Sequence, residues 1–464
     1  MKKNNQSLSK KRIVKDTMGE IEVPYNALYG AQTQRAIDNF PISGNVFLFD
    51  FIKSIVIIKR SAAIINFKLK LLEESKMNAI VNACDEILDG KHNNQFPVDI
   101  FQTGSGTSTN MNVNEVVANI ATKFAKDKIH PNDHVNMGQS SNDVIPTAIN
   151  ISVSLMVNEK LLPSLDNILI TLKNKTLEFK DVMKIGRTHL QDATPITLGQ
   201  EFSGYAEMIK KSINRIDISK KSLQELAQGG TAVGTGINTH PKFGTMIAEE
   251  ISDFTSYSFS KSSNHFKAQS SQDTAVEFSG TLKSLSVCLN KIANDIRWLS
   301  SGPRSGLGEL IIPSVQPGSS IMPGKVNPVI CESIIQVCAQ VIANDAAITL
   351  GGLGSVFELN LMLPLIAHNL LYSIQILSNS IVMFDKKLLV GIKADVKRCN
   401  DYIEGSLAMC TALAPVIGYD KAAEIAYEAY KEGKTVREIA IQKQILKKNE
   451  IDLLLNPKSM IKPK

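Results

Sequence analysis

Apolar residues recur along this chain with the three-to-four-residue spacing of α-helices, and the longest such stretches lie in its middle. Five segments stand out, at roughly 145–179, 196–228, 268–299, 328–350 and 362–391. Each runs about 23–35 residues and would span roughly 35–50 Å at about 1.5 Å per residue. In the fourth, Val329, Ile330, Ile334, Ile335, Val337 and Val341 cover more than one face. A helix apolar all round is buried on all sides. The pattern therefore predicts a bundle that packs against copies of itself, an oligomer built through helices.

Outside that region the rhythm is shorter. Residues 1–138 are mixed, with turns at Val23-Pro24, Gly30, Pro41 and Gly44 and short helical stretches around 50–90. Smaller helices are expected in the last 70 or so residues, with Gly391 and Gly418 as punctuation and a lysine-rich end. No strands are expected. The chain reads as mainly α in three domains: 1–138, a central bundle of five long helices over 139–394, and 395–464.

With 43% apolar and 21% charged residues, composition excludes disordered and fibrous classes. A net charge of +6 suits the collection of small acidic metabolites. It is too diffuse, with too few aromatics, for a nucleic-acid face. No apolar run approaches the length of a membrane span. The basic stretch Met1–Arg12 lacks the apolar core of a secretory signal and reads as a short flexible tail. Six well-separated cysteines, at 84, 288, 331, 338, 399 and 410, form no Cys-x-x-Cys pair, which fits reduced thiols and a cytoplasmic setting.

The densest chemistry lies in Gly318-Ser-Ser-Ile-Met-Pro-Gly-Lys-Val-Asn-Pro328. Glycines and prolines make this a sharply turned loop, and its end is a helix start. Asn327 suits the N-cap, Pro328 the first helical position, and Glu332 the first turn. Ser319, Ser320, Lys325 and Asn327 thus stand beside backbone N–H groups at the positive end of a helix, a place suited to an anion.

Three other segments are polar. Thr103-Gly-Ser-Gly-Thr-Ser-Thr-Asn-Met-Asn-Val-Asn-Glu115 brings Ser105, Gly106 and Thr107 to a segment that enters a helix near Glu115. On residue types alone it is a Ser/Thr-rich cap or a set of neutral donors for a carboxylate. Gln139-Ser140-Ser141-Asn142-Asp143 has the form of a capping box. Lys184-Ile-Gly-Arg-Thr-His-Leu-Gln-Asp-Ala-Thr-Pro195 sits in a connection between two long helices, where His189 can exchange protons near neutrality. His130 and His134 have the i, i+4 spacing of a zinc pair, but Pro131 and Asn132 make a turn, and no metal is expected. Gly229–Gly236 follows a helix rather than a strand, which excludes a dinucleotide loop.

The string Gly-Ser-Ser-x-Met-x-x-Lys-x-Asn resembles the signature of the fumarase/aspartase superfamily, and Pro323-Gly324-Lys325 is similar to its class II fumarase branch. Asn-Met-Asn-x-Asn-Glu at 110–115 and Gly229–His240 resemble further family segments. The likeness runs from Met18-Gly19 to Gly418–Ala423. It implies the reversible hydration of fumarate to L-malate without metal or cofactor, in a homotetramer whose sites each draw on three subunits. Ser319 would be the base and Lys325 with Asn327 the stabilisers of an aci-carboxylate. His189, oriented by Glu332, would handle the proton of the leaving hydroxyl. Ser105, Gly106, Thr107, Ser140, Ser141, Asn142, Thr188, Ser320 and Val326 would complete the substrate contacts. His130, Pro131, Asn132 and Asp133 match an accessory anion site, although Asp127, next to Lys128, stands where many relatives carry Arg. The rival within the superfamily, aspartate ammonia-lyase, usually has Gln at the counterpart of Thr188-His189 and Pro-Ala-Lys in the signature. A rival of another class is a non-catalytic protein on the same scaffold, as some lens crystallins are.

Overall fold

The structure is a computed structural model that describes residues 10–463; the expected tail falls mostly on residues 1–9, outside the described part. Lys11 and Arg12 are not tail but open a strand, β1 (Lys11–Asp16), paired antiparallel with β2 (Gly19–Pro24). The helices that follow are α1 (Ala31–Asn39), α2 (Phe49–Lys68), α3 (Glu74–Leu88), α4 (Thr107–Ala121), α5 (Ser141–Met156) and α6 (Leu162–Glu178). A second hairpin, β3 (Met183–Thr188) and β4 (Gln191–Thr197), precedes α7 (Leu198–Ser219), α8 (Phe243–Thr255), α9 (His265–Ser270) and α10 (Asp273–Leu299). Then come α11 (Val329–Gly352), α12 (Leu363–Lys387) and short C-terminal helices from α13 (Val396–Gly405) onward.

All five expected long helices are present, the first as α5 and α6 joined by a π-turn at Val157–Leu161. Its amides bond one residue further back, so the chain turns without breaking the helix. The expectation of no strands was wrong. In β3 four successive residues, Met183 to Gly186, are buried, so no in-out alternation marks the strand.

The chain divides into two compact units, each gathered from three stretches. One holds residues up to Leu162, Asn214–Ser284 and Gln340–Leu377. Its centre is α2, where Ile55, Val56, Ile58 and Ala62 are fully enclosed, with Val144, Ile145, Ala148 and Ile149 of α5 equally buried. Burying each of these Ile and Val side chains contributes about 1.5–3 kcal/mol. The other unit comprises Pro163–Ile213, Leu285–Ala339 and Ser378–Lys464. There the C-terminal helices build a core of Ile403, Met409, Leu413, Ile425 and Ile439 that takes in Met183 and Ile185 of β3.

α11 and α12 are, by length and composition alone, long and apolar enough to cross a membrane, contrary to expectation, although a polar residue interrupts the apolar run every few positions. Only 39% of the most apolar window of α11 is buried. Cys331, Ile334, Cys338 and Val341 line its covered face, whereas Ile342 and Leu350 are exposed.

Candidate active site

The first group of site residues forms where α4 and α5 begin. Gly106 caps α4 with a positive φ of 73°, and a Cβ there would lie 2.9 Å from Ile145, so both backbone and space require glycine. The helix starts at Thr107, eight residues earlier than Glu115, so the hydroxyl-and-amide string is mostly helix rather than approach. Its polar residues point inward: Asn110, Asn112, Asn114 and Glu115 are buried. Glu115 accepts hydrogen bonds from the Gly30, Gln32 and Thr33 amides, where it anchors the start of α1.

Ser140 caps α5 as its sequence predicts: its hydroxyl accepts from the Asn142 amide, and Asp143 accepts from the Ser140 amide at 2.9 Å. The two helix starts are joined by hydroxyls. Ser105 Oγ lies 2.7 Å from Thr107 Oγ1, which lies 2.7 Å from Ser141 Oγ. Asn142 donates through Nδ2 to the Ala232 carbonyl at 2.8 Å. This ties its amide to the glycine segment and leaves its side-chain oxygen beside Ser141.

Two buried charges hold this turn; sequence reasoning missed Lys59 and read Asp143 only as part of a cap. Asp143 is fully buried, and its second oxygen accepts from Gln228 Nε2, the Gly229 amide and the Thr231 amide. Burial pushes its carboxyl up to about 6, against the pull of those donors. Lys59 of α2 is equally enclosed, and its ammonium donates to Asn110 Oδ1, Asn136 Oδ1 and Gln139 Oε1 at 2.8, 2.8 and 3.0 Å. Desolvation pulls it down to about 7. Lys59 sits amid the apolar run of α2, and no spacing rule singles it out. Asp143 was legible only as a helix cap.

The second group is the β3–β4 hairpin. Its two-residue turn is His189-Leu190, both at positive φ (56° and 60°), the form that favours Asn-Gly. Placing bulky residues there is strained, and strain of this kind gathers at functional sites. Thr188 and His189 are exposed at the tip. Beneath them Arg187 grips the fully buried Glu309 in a two-pronged pair at 2.8 and 3.0 Å, and the buried Lys184 lies between Glu309 and Glu201. That anchor holds the base of the hairpin and leaves the tip in solvent.

The third group is the loop before α11. The backbone folds on itself, with the Gly318 amide donating to the Lys325 carbonyl at 2.8 Å and Asn327 Nδ2 to the Gly318 carbonyl at 2.7 Å. Asn327 is therefore not the helix cap. The Glu332 amide bonds the Pro328 carbonyl, which moves the cap one residue on, and Glu332 does fall in the first turn. Ser319 Oγ accepts from the Ile321 and Met322 amides at 3.3 and 3.0 Å. Two N–H dipoles aimed at one hydroxyl oxygen favour its anionic form. Ser319, Lys325 and Val326 line an open cleft, Ser320 is exposed beside it, and Lys325 has no carboxylate partner among the described residues.

Among the described residues no hydrogen bond joins His189 to Glu332, and both are exposed. At the proposed accessory site, Pro131–Val135 makes a π-turn capped by His130, whose Nδ1 accepts from the Asn132 and Asp133 amides at 3.3 and 3.1 Å. The imidazole thus already occupies amides that an anion would use.

Comparison with known proteins gives first the class. Residues 19–343 match the family described as Lyase, and residues 409–462 the one described as Fumarase C C-terminus. Fumarate hydratase class II of Wigglesworthia glossinidia brevipalpis is 51% identical over 456 residues, covering 97% of this chain and 98% of that protein. Its Bacillus cereus counterpart is 51% identical over 458 residues, with 98% and 99% covered. A crystal structure of class II fumarase from Schistosoma mansoni superimposes with a TM-score of 0.95 at 39% identity, over 97% of this chain and 99% of that one. The chain belongs to the class II fumarate hydratase family.

Proposed function

We propose that this protein catalyses the reversible hydration of fumarate to L-malate, a carbon–oxygen lyase reaction, in the tricarboxylic acid cycle of the cytoplasm. The observation that carries the reading is the loop Gly318–Asn327, complete in sequence and folded so that two backbone amides converge on Ser319. It sits in a chain 51% identical to class II fumarate hydratases over nearly its whole length.

In malate dehydration the hard step is removal of a proton from a carbon beside a carboxylate, which leaves an aci-carboxylate with extra charge on the same oxygens. Preorganised donors at that charge supply most of the rate. Ser319 acts as the base. Its hydroxyl is far too weakly acidic in water, and the Ile321 and Met322 amides together with Lys325 favour the alkoxide. Lys325 and Asn327 stabilise the aci-carboxylate. His189, aligned by Glu332, protonates the departing hydroxyl through water. Thr107, Ser141, Asn142 and Thr188 hold the second carboxylate, with Ser105, Gly106, Ser140, Ser320 and Val326 around them.

A homotetramer whose sites each combine the α4/α5 start, the hairpin tip and the loop from three copies is part of the proposal. The exposed apolar positions of α11, Ile342 and Leu350 among them, support it. The division of the chain into 1–138, 139–394 and 395–464 belongs to the same reading, and the six free cysteines fit a reducing compartment.

Fumarate absorbs in the ultraviolet through its conjugated double bond, so purified protein added to fumarate in water should bleach that absorbance. Aspartate should yield no ammonia. Ammonia release without bleaching would assign the chain to the ammonia-lyases instead.

A further inference from the structure

Lys59 is a fully buried charge that the mechanism above does not use and whose contacts lead towards the site. It is wholly enclosed, yet its three N–H donors meet three neutral amide oxygens and no carboxylate. Enclosing an ammonium without a direct counter-ion is unfavourable, and apolar replacements of buried charges are often neutral or stabilising. Fold stability alone is a poor reason to keep it.

What the lysine does fix is orientation. Gln139, immediately before Ser140, turns its oxygen to Lys59 and its Nε2 to the Val135 and Met137 carbonyls. Asn136 gives its oxygen to Lys59, Asn110 and Asn114, and its Nδ2 to the Gln139 carbonyl. Asn110 lies one turn along α4 from Thr107, and its backbone amide closes that turn on Gly106. The ammonium thus pins one side of the Ser140–Asn142 turn and the start of α4 together. Asp143, with its bonds to Gln228, Gly229 and Thr231, pins the other side. The 2.7 Å contact between Thr107 and Ser141 depends on both helix starts keeping register.

We infer that Lys59 is a positioning residue for the carboxylate-binding side of the site, acting through Gln139, Asn136 and Asn110 on Ser140, Ser141, Asn142 and Thr107. The inference rests on the fumarate hydratase reading. Its signature is a weaker grip on substrate with the chemical step largely intact, because the groups it orients hold the carboxylate equally in ground and transition states.

The test is Lys59→Met, which keeps the length and removes the charge, measured as the full-length assembled protein. KM for fumarate should rise at least tenfold while kcat falls less than threefold. The dissociation constant of succinate, a saturated dicarboxylate that cannot be hydrated, should rise by the same factor in calorimetry. A KM and a succinate affinity within twofold of the parent, with only the melting temperature moved, would overturn the inference and make the lysine merely structural. Should Lys59→Met not fold, Gln139→Leu decides: a roughly threefold rise in KM supports the inference, and an unchanged KM sinks it. A parent protein without hydratase activity would instead remove the functional reading, and this inference with it.

Discussion

The turn at the start of α5 and the loop before α11 are both short, rich in serine and amides, and placed at a helix N-terminus, yet they are built in opposite ways. At the α5 start every group is tied down: Ser140 and Asp143 cap each other, Asp143 gathers Gln228, Gly229 and Thr231, and Lys59 anchors Gln139. In the loop the bonds are mainly backbone to backbone, Ser319 points into an open cleft, and Lys325 is exposed. Under the proposed roles the contrast separates two tasks. Holding a spectator carboxylate calls for groups that do not move, whereas making a base calls for dipoles and charge brought to bear as water leaves.

If that contrast is sound, substitutions in the open parts lower kcat and leave stability alone, and those in the tied parts weaken substrate binding or change stability with kcat largely intact. Ser319→Ala and His189→Asn should each lower kcat by about a thousandfold or more, with melting temperature and assembly unchanged in calorimetry and light scattering. Rates near the parent's would mean the base and the proton carrier are misassigned. Under the hairpin, Glu309→Gln leaves the half-buried Arg187 without its carboxylate and the buried Lys184 with Glu201 alone. It should cost about 3–5 kcal/mol in urea unfolding, and a loss below about 1 kcal/mol would show the pair to be incidental.

The buried Lys59 gives a test in pH. Its folded value is held at about 7 by desolvation, below the unfolded 10.5. Between those values only the unfolded chain keeps the proton, so this group destabilises the fold fully below 7, and stability is regained as pH rises towards 10.5. Relative to Lys59→Met, the parent should gain up to about 1.4 kcal/mol per pH unit above 7. Parallel stability curves for the two proteins would contradict it. The smallest effect is expected at the hairpin tip, where Leu190→Gly relieves a positive φ at an exposed side chain and should stabilise by about 1 kcal/mol in the same unfolding assay.

The helical segments were legible because long amphipathic and apolar runs leave a strong period. The hairpin was not, since Met183-Lys184-Ile185 is too short an alternation to mark a strand and Gly186 and Pro195 read as a connection. The chemistry of the loop was legible from its residue types, and the capping box at Ser140 from its spacing. What escaped was the support behind them: Lys59 reaches its partners across intervals of 51 to 80 residues, and Asp143 its own across 85 to 88. Such intervals are set by packing, and no local pattern records them.

The most direct test of the account is complementation between two inactive proteins. Ser319→Ala and His189→Asn should each be inactive alone, and dissociating and reassembling them together should restore activity. If loop and hairpin tip reach a site from different copies, about a quarter of the sites in a random mixture carry both intact groups. Recovery approaching that fraction of the parent rate is the predicted result. A mixture no more active than its parents would mean that each chain builds its site alone, and the shared-site account would be wrong.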